Sequence, residues 1–141
     1  MEHTSVFLYQ IEKQNKIKLP FQDPDNKAAT VVTSRSHMSE ETESFINKLK
    51  ESYEEVKTVS AGSSLKLCLV AEGKADFYPR YAPTMEWDTG AGQAIVELAG
   101  GKVEIADESL PLTYNKENLR NPWFWQLDLK LMKWGGGAMP R

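Results

Sequence analysis

Trp87-Asp88-Thr89-Gly90-Ala91-Gly92 sets one carboxylate between a tryptophan and a run of small residues. Ala91, Ala94, Ile95 and Leu98 follow at the spacing of one helix face, which places Asp88 at or just before a helix start. There a carboxylate can accept from unpaired backbone N–H groups or point outward toward a cation. The small residues allow close approach by backbone or ligand. A second helix start of similar design lies upstream. Val59-Ser60-Ala61-Gly62 leads out of an extended run, and Ser63-Ser64-Leu65-Lys66 opens a pattern continued by Cys68, Leu69 and Glu72. A Gly-Ser-Ser loop at a helix start offers backbone and hydroxyl donors to an anion, and the helix dipole favours negative charge there. Lys66 adds a full positive charge, and Ala75-Asp76-Phe77-Tyr78 reads as a short strand ending in Pro79-Arg80. An anion-facing loop, a lysine, an arginine and a carboxylate at the ends of adjacent elements suit a phosphate ester held beside a divalent metal.

The elements that must position these groups alternate between strand and helix. Val6 to Ile11 and Lys16 to Leu19 read as two strands joined by Lys13-Gln14-Asn15. Pro20 ends the second. A polar loop from Phe21 to Lys27 holds Asp23-Pro24-Asp25, which looks like a metal carboxylate pair but has the composition of a turn. Ala29 to Thr33 is β-branched and extended. Ser39 is a good N-cap for a helix with Glu40 and Glu41 in its first turn and Phe45, Ile46, Leu49 and Tyr53 on its buried face. Strands are expected over Val56 to Val59, Lys102 to Ile105 and Trp125 to Leu131, with mostly loop from Asp107 to Asn121. The class is therefore α/β, a sheet with flanking helices, in one domain over residues 1–134 with a flexible Gly-rich tail over 135–141.

The bulk numbers leave that reading open and close others. A chain of 141 residues suits one domain. A formal charge of −3 argues against a general nucleic-acid binder, yet a small phosphorylated ligand needs only a few local cations. Cys68 is the only cysteine, so no intramolecular disulfide forms; its place in the helical pattern suggests a small core residue. No apolar run approaches the ~20 residues of a membrane span, and the start carries no basic-then-apolar leader. The expected location is the cytoplasm.

The Trp-Asp-Thr-Gly-Ala-Gly stretch resembles the Trp-Asp-x-Ala-Ala-Gly signature of the inositol monophosphatase superfamily. Ser34-Arg35-Ser36-His37, Gly62-Ser63-Ser64-Leu65-Lys66 and Tyr78-Pro79-Arg80 resemble its 3′(2′),5′-bisphosphate nucleotidase branch, as do Tyr114-Asn115-Lys116 and Asn121-Pro122. The resemblance covers roughly residues 29 to 124, with Gly90 standing where the family usually has alanine. It implies magnesium-dependent hydrolysis of a phosphomonoester, the 3′-phosphate of 3′-phosphoadenosine 5′-phosphate, to give AMP and phosphate. In that scheme Asp88 ligates the metal and lies close to substrate, and His37 lies near the nucleotide. Ser63 and Lys66 contact the nucleotide or its 5′-phosphate; Ser63 can cap its helix as well. Arg80 holds phosphate or stacks on the base. Trp87 is read as packing, and Trp123 and Trp125 as core.

The resemblance also says what is missing. The family's glutamate-rich motif and its Asp-Pro-Ile/Leu-Asp-Gly-Thr motif, which carry most of the metal ligands and position the water, are absent, and Asp23-Pro24-Asp25-Asn26 does not substitute for them. The chain is thus expected to be the C-terminal half of the inositol monophosphatase and sugar phosphatase fold, catalytically incomplete alone, with a weak or absent Mg2+ site. Its partner would be adenosine 3′,5′-bisphosphate or a related phosphorylated small molecule. Other readings are a phosphonucleotide-binding or structural module without catalysis, an inositol-phosphate phosphatase fragment, or self-association through the surface the other half would cover.

Overall fold

Apolar residues alternate in β3, Ala28–Thr33: Ala29 and Val31 point to one side and Val32 to the other, all fully buried. A strand buried on both faces belongs inside a sheet covered by helices, and that is the architecture of the computed structural model. It describes residues 5–19, 27–34 and 38–127.

The element order is β1 (Phe7–Gln10), β2 (Asn15–Lys18), β3, α1 (Glu40–Ser52), β4 (Glu55–Ser60), α2 (Leu65–Ala71), β5 (Phe77–Arg80), α3 (Glu86–Leu98), β6 (Lys102–Ile105) and β7 (Phe124–Leu127). Five strands form one sheet in the order β4-β3-β5-β7-β6. β4, β3 and β5 are parallel, joined by helical crossovers, while β7 runs antiparallel to both β5 and β6. β1 and β2 form a separate antiparallel hairpin.

Two cores fill the two sides of the sheet. On one, Phe45, Ile46 and Leu49 of α1 meet Val31, Phe77 and Trp125. Phe45 and Phe77 meet edge to face at a centroid distance of 5.7 Å. On the other, Leu67 and Val70 of α2 and Val96 of α3 meet Val32, Tyr78, Val103 and Phe124. α2 and α3 pack closely because Gly92 carries no side chain: a Cβ there would lie 2.4 Å from Leu67 Cδ1. The α1 start is as the sequence implied, with Ser39 Oγ accepting from Thr42 N at 3.2 Å.

Several expectations are corrected. The face of α2 that is buried carries Lys66, Leu67, Val70 and Ala71, so Leu65 is exposed and Cys68 only half-buried. The Leu65, Cys68, Leu69 and Glu72 spacing is a helix face, but not the one that meets the sheet. Likewise Ala91, Ala94, Ile95 and Leu98 share one face of α3, and it points outward; Glu86, Thr89, Gln93 and Val96 are the buried residues. β5 starts at Phe77 and includes Pro79 and Arg80, which pair in register with Trp125 and Phe124. Pairing of β5 with β3 is confined to Phe77, so the proline lies beyond the stretch where both neighbours need ladder donors. Asp23-Pro24-Asp25, residues 128–131 of the last expected strand and the 135–141 tail lie outside the described residues. No helix among the described residues is long and apolar enough to cross a membrane.

Candidate functional site

Asp88 is the third residue of α3, not its cap. The helix begins two residues earlier than the spacing suggested, with Met85 in extended conformation at the cap position. Asp88 Oδ2 accepts from Met85 N at 2.8 Å, satisfying one helix-start donor. The side chain stays exposed at the mouth of a cavity of about 600 Å3.

The same cavity is lined by Gly62, Ser63, Ser64, Lys66, Arg80 and Trp87. The sequence-implied cations and carboxylate therefore share one opening, at the end of β5 and the starts of α2 and α3. The topology accounts for this: β3, β4 and β5 are parallel, so the loops leaving β4 and β5 emerge on the same side of the sheet, where open α/β sheets bind ligands.

Lys66 is buried, 6% exposed, and its Nζ lies 5.6 Å from the centre of the Tyr78 ring. Burial on the sheet side of α2 explains why it reaches the cavity and is not spread over solvent. Arg80 is half-buried, and its Nε is a buried donor with no hydrogen-bond partner. Such a donor is costly to leave unmet, and it belongs to a residue lining the cavity. Burial pushes the Tyr78 hydroxyl above its ordinary value; the nearby Arg80 opposes that shift and the Asp88 carboxylate adds to it.

Ser63 adopts a left-handed φ of 55°, and the N-cap position of α2 falls to Ser64, whose side chain makes no capping bond. Ser63 is thus in the cavity wall but is not the helix cap the sequence allowed. His37, expected near a nucleotide, lies with Arg35 and Ser36 outside the described residues. Trp87 is 69% exposed beside the cavity and does not pack inside the molecule. Trp123 is 45% exposed and lines a second cavity of about 320 Å3 with Tyr81, Phe45 and Glu41. Trp125 is core, as expected, its Nε1 donating to the Tyr81 hydroxyl at 2.7 Å.

Sequence reasoning gave no role to the residues that hold the start of α3 in place. Asn121, 4% exposed, donates through Nδ2 to Thr89 Oγ1 at 2.9 Å, Met85 O at 3.0 Å and Thr84 Oγ1 at 3.1 Å. The Tyr114 hydroxyl donates to Thr89 Oγ1 at 3.1 Å and to Gln93 Oε1. Glu86 accepts from Lys116 Nζ and from the backbone N–H groups of Asn115 and Lys116. The signal was present, since Tyr114-Asn115-Lys116 and Asn121-Pro122 stand out as motifs. What was hidden was their target, the first turns of the helix that carries Asp88.

Magnesium binding asks for several oxygen ligands or many retained waters. Asp88 is the only one of the expected site residues with a carboxylate, and the described residues contain no group of three or more His, Cys, Asp or Glu able to hold a metal. These residues alone do not fit a magnesium site.

Comparison with known proteins places the sequence and the fold in one family. The family model described as "Inositol monophosphatase family" matches residues 8–132. The 3′(2′),5′-bisphosphate nucleotidase CysQ of Escherichia coli K12 is 42% identical over 109 residues, which is 77% of this chain and 42% of the relative. The crystal structure of CysQ from Bacteroides thetaiotaomicron, a bacterial member of the inositol monophosphatase family, superimposes with a TM-score of 0.74 at 48% identity, covering 92% of this chain and 47% of that one. Inositol monophosphatase II from Staphylococcus aureus shares the fold with a TM-score of 0.59 at 14% identity, covering 86% and 49%. The chain spans less than half the length of the CysQ relatives it matches. With a family model matching nearly its whole length, the chain belongs to the inositol monophosphatase family.

Proposed function

We propose that this chain is the substrate-facing part of a phosphatase that removes the 3′-phosphate of 3′-phosphoadenosine 5′-phosphate, giving AMP and phosphate, and that alone it binds the nucleotide without turning it over. The observation that carries this reading is the convergence of Lys66, Arg80 and Asp88 on one cavity of about 600 Å3, a volume suited to a nucleotide-sized ligand. Relatives named 3′(2′),5′-bisphosphate nucleotidase support the substrate class.

In this scheme Lys66 and Arg80 bind and orient phosphate oxygens, with the unmet Arg80 Nε as one donor. Ser63 and Ser64 border the same opening. Asp88 would offer one oxygen ligand to a magnesium ion, a group that would supply polarisation of phosphoryl oxygens and a lowered pKa of water once the remaining ligands were provided. One carboxylate is too few for that, so the isolated chain lacks an activated water. The reading also places the protein among the soluble phases of the cell, in the cytoplasm.

The test is an assay of the pure chain with 3′-phosphoadenosine 5′-phosphate and magnesium, alongside calorimetry with the same nucleotide. Binding without turnover is expected. Clear turnover rejects the incompleteness, and no binding at millimolar nucleotide rejects the site.

A further inference from the structure

Lys66 and Arg80 come from different elements, yet one side chain serves both. Tyr78 and Arg80 are two residues apart in β5, so their side chains leave the same face of the sheet. That face packs against α2, which carries Lys66. Lys66 Nζ lies 5.6 Å from the centre of the Tyr78 ring, within the range of a cation–π contact. The Arg80 guanidinium acts on the Tyr78 hydroxyl by its charge and by a hydrogen bond. Arginine has only donors, so the hydroxyl accepts in that bond. All three residues line the cavity of about 600 Å3.

Tyr78 is the fixed member of this set. It is 5% exposed, its backbone pairs with Gln126, and its ring meets Phe124 edge to face at a centroid distance of 5.9 Å. Lysine and arginine, by contrast, are among the side chains with most rotamer freedom to lose. Ordering such side chains at the moment of binding weakens affinity, and ordering them beforehand strengthens it. The Arg80 Nε has no partner among the described residues, so the guanidinium touches Tyr78 and still holds a donor in reserve.

We propose that Tyr78 is a positioning residue: its ring seats the Lys66 ammonium and its hydroxyl seats the Arg80 guanidinium, so both cations are arranged before a phosphate enters the cavity. This rests on the reading of the cavity as a phosphate site. The two parts of the side chain act on different partners, the hydroxyl through Arg80 and the ring through Lys66. A tyrosine that only filled space would show no such division.

The experiment reads affinity for adenosine 3′,5′-bisphosphate by calorimetry and for inorganic phosphate by NMR titration, in double-mutant cycles. Tyr78→Phe keeps the ring and removes the hydroxyl. It should weaken both ligands about 3- to 10-fold in the native chain and to the same extent with Lys66→Met. With Arg80→Met its effect should fall below about twofold, because the partner is gone. Tyr78→Leu should cost roughly a further threefold, and Lys66→Met should erase that further loss. Equal losses in every background would make Tyr78 a packing residue and overturn the proposal. A measurement on the native chain needs no variant to fold: the Lys66 methylene protons nearest Nζ should be shifted upfield by the ring. Their lying at the ordinary lysine position overturns the proposal. Phosphate binding with this coupling but without nucleotide binding supports the positioning role and counts only against the nucleotidase reading. Binding of neither ligand overturns both.

Discussion

Lys116 Nζ lies 2.6 Å from Glu86 Oε1, which ties the late loop to the first turn of α3. The backbone N–H groups of Asn115 and Lys116 donate to the same carboxylate at 2.8 Å and 3.2 Å. The Lys116 bond, followed by the two backbone donors, holds the Glu86 carboxyl below its ordinary value of 4.5. A depressed folded-state pKa contributes stability above the unfolded value, and that contribution is lost as pH falls through the folded value. Urea midpoints of the native chain should therefore fall as pH drops below 4.5, and Glu86→Gln should flatten that part of the profile. Parallel profiles would show that the clamp contributes nothing.

Lys66→Met keeps the buried stem and removes the charge. Loss of a charge-assisted bond to phosphate is worth about 1.5–3 kcal/mol, so nucleotide affinity should drop roughly 10- to 100-fold in calorimetry. Lys57→Met, on the exposed edge strand β4, should leave affinity unchanged.

Asp88→Asn retains an oxygen for the Met85 N–H bond and removes the charge. Stability should fall by no more than about 1 kcal/mol, the scale of a helix-terminus charge. Any enhancement of nucleotide binding by magnesium should disappear; an undiminished magnesium effect would exclude Asp88 as a ligand.

Gly92→Ala places a Cβ 2.4 Å from Leu67 Cδ1 and 3.1 Å from Leu67 Cβ. Overpacking of this kind costs about 1–3 kcal/mol, read as a lower urea midpoint. In a Leu67→Ala background the same substitution should cost less, because the clash with Cδ1 is gone while the 3.1 Å approach to Cβ remains.

Burial, and then the Glu72 carboxylate, push the Cys68 thiol above its ordinary value of 9.0. The raised value keeps it protonated at neutral pH, so alkylation should be slower than for a free thiol. Glu72→Gln should speed it.

The elements were legible to the extent that backbone chemistry decides them. Ser39 with Glu40 and Glu41 announced α1, and the β-branched run before Thr33 announced β3; both depend on interactions within a few residues. Helix faces were not legible in the same way. α2 carries two apolar sides, and periodicity cannot say which of them meets the sheet; in α3 the more apolar side points outward, while Glu86, Thr89, Gln93 and Val96 are buried. Leu65 and Leu98 are as apolar as Leu67 and Val96, yet only the latter pair is buried. The start of α3 was displaced as well, because Met85 is not a capping residue by type. Its cap comes from Asp88, and the loop at 114–121 fixes the turn from a distance.

The order of motifs along the chain was enough to identify the family and to name Lys66, Arg80 and Asp88, since those residue types occur at fixed local spacing in loops and helix starts. Their convergence on one cavity was settled by the parallel pairing of β3 with β4 and β5, which turns the loops after β4 and β5 to the same edge of the sheet. Folding alone also decided that the clamp of Glu86, Thr89 and Asn121 surrounds the start of α3, and that one apolar side of that helix remains uncovered. Those outcomes depend on contacts between residues dozens of positions apart, and no local pattern encodes them.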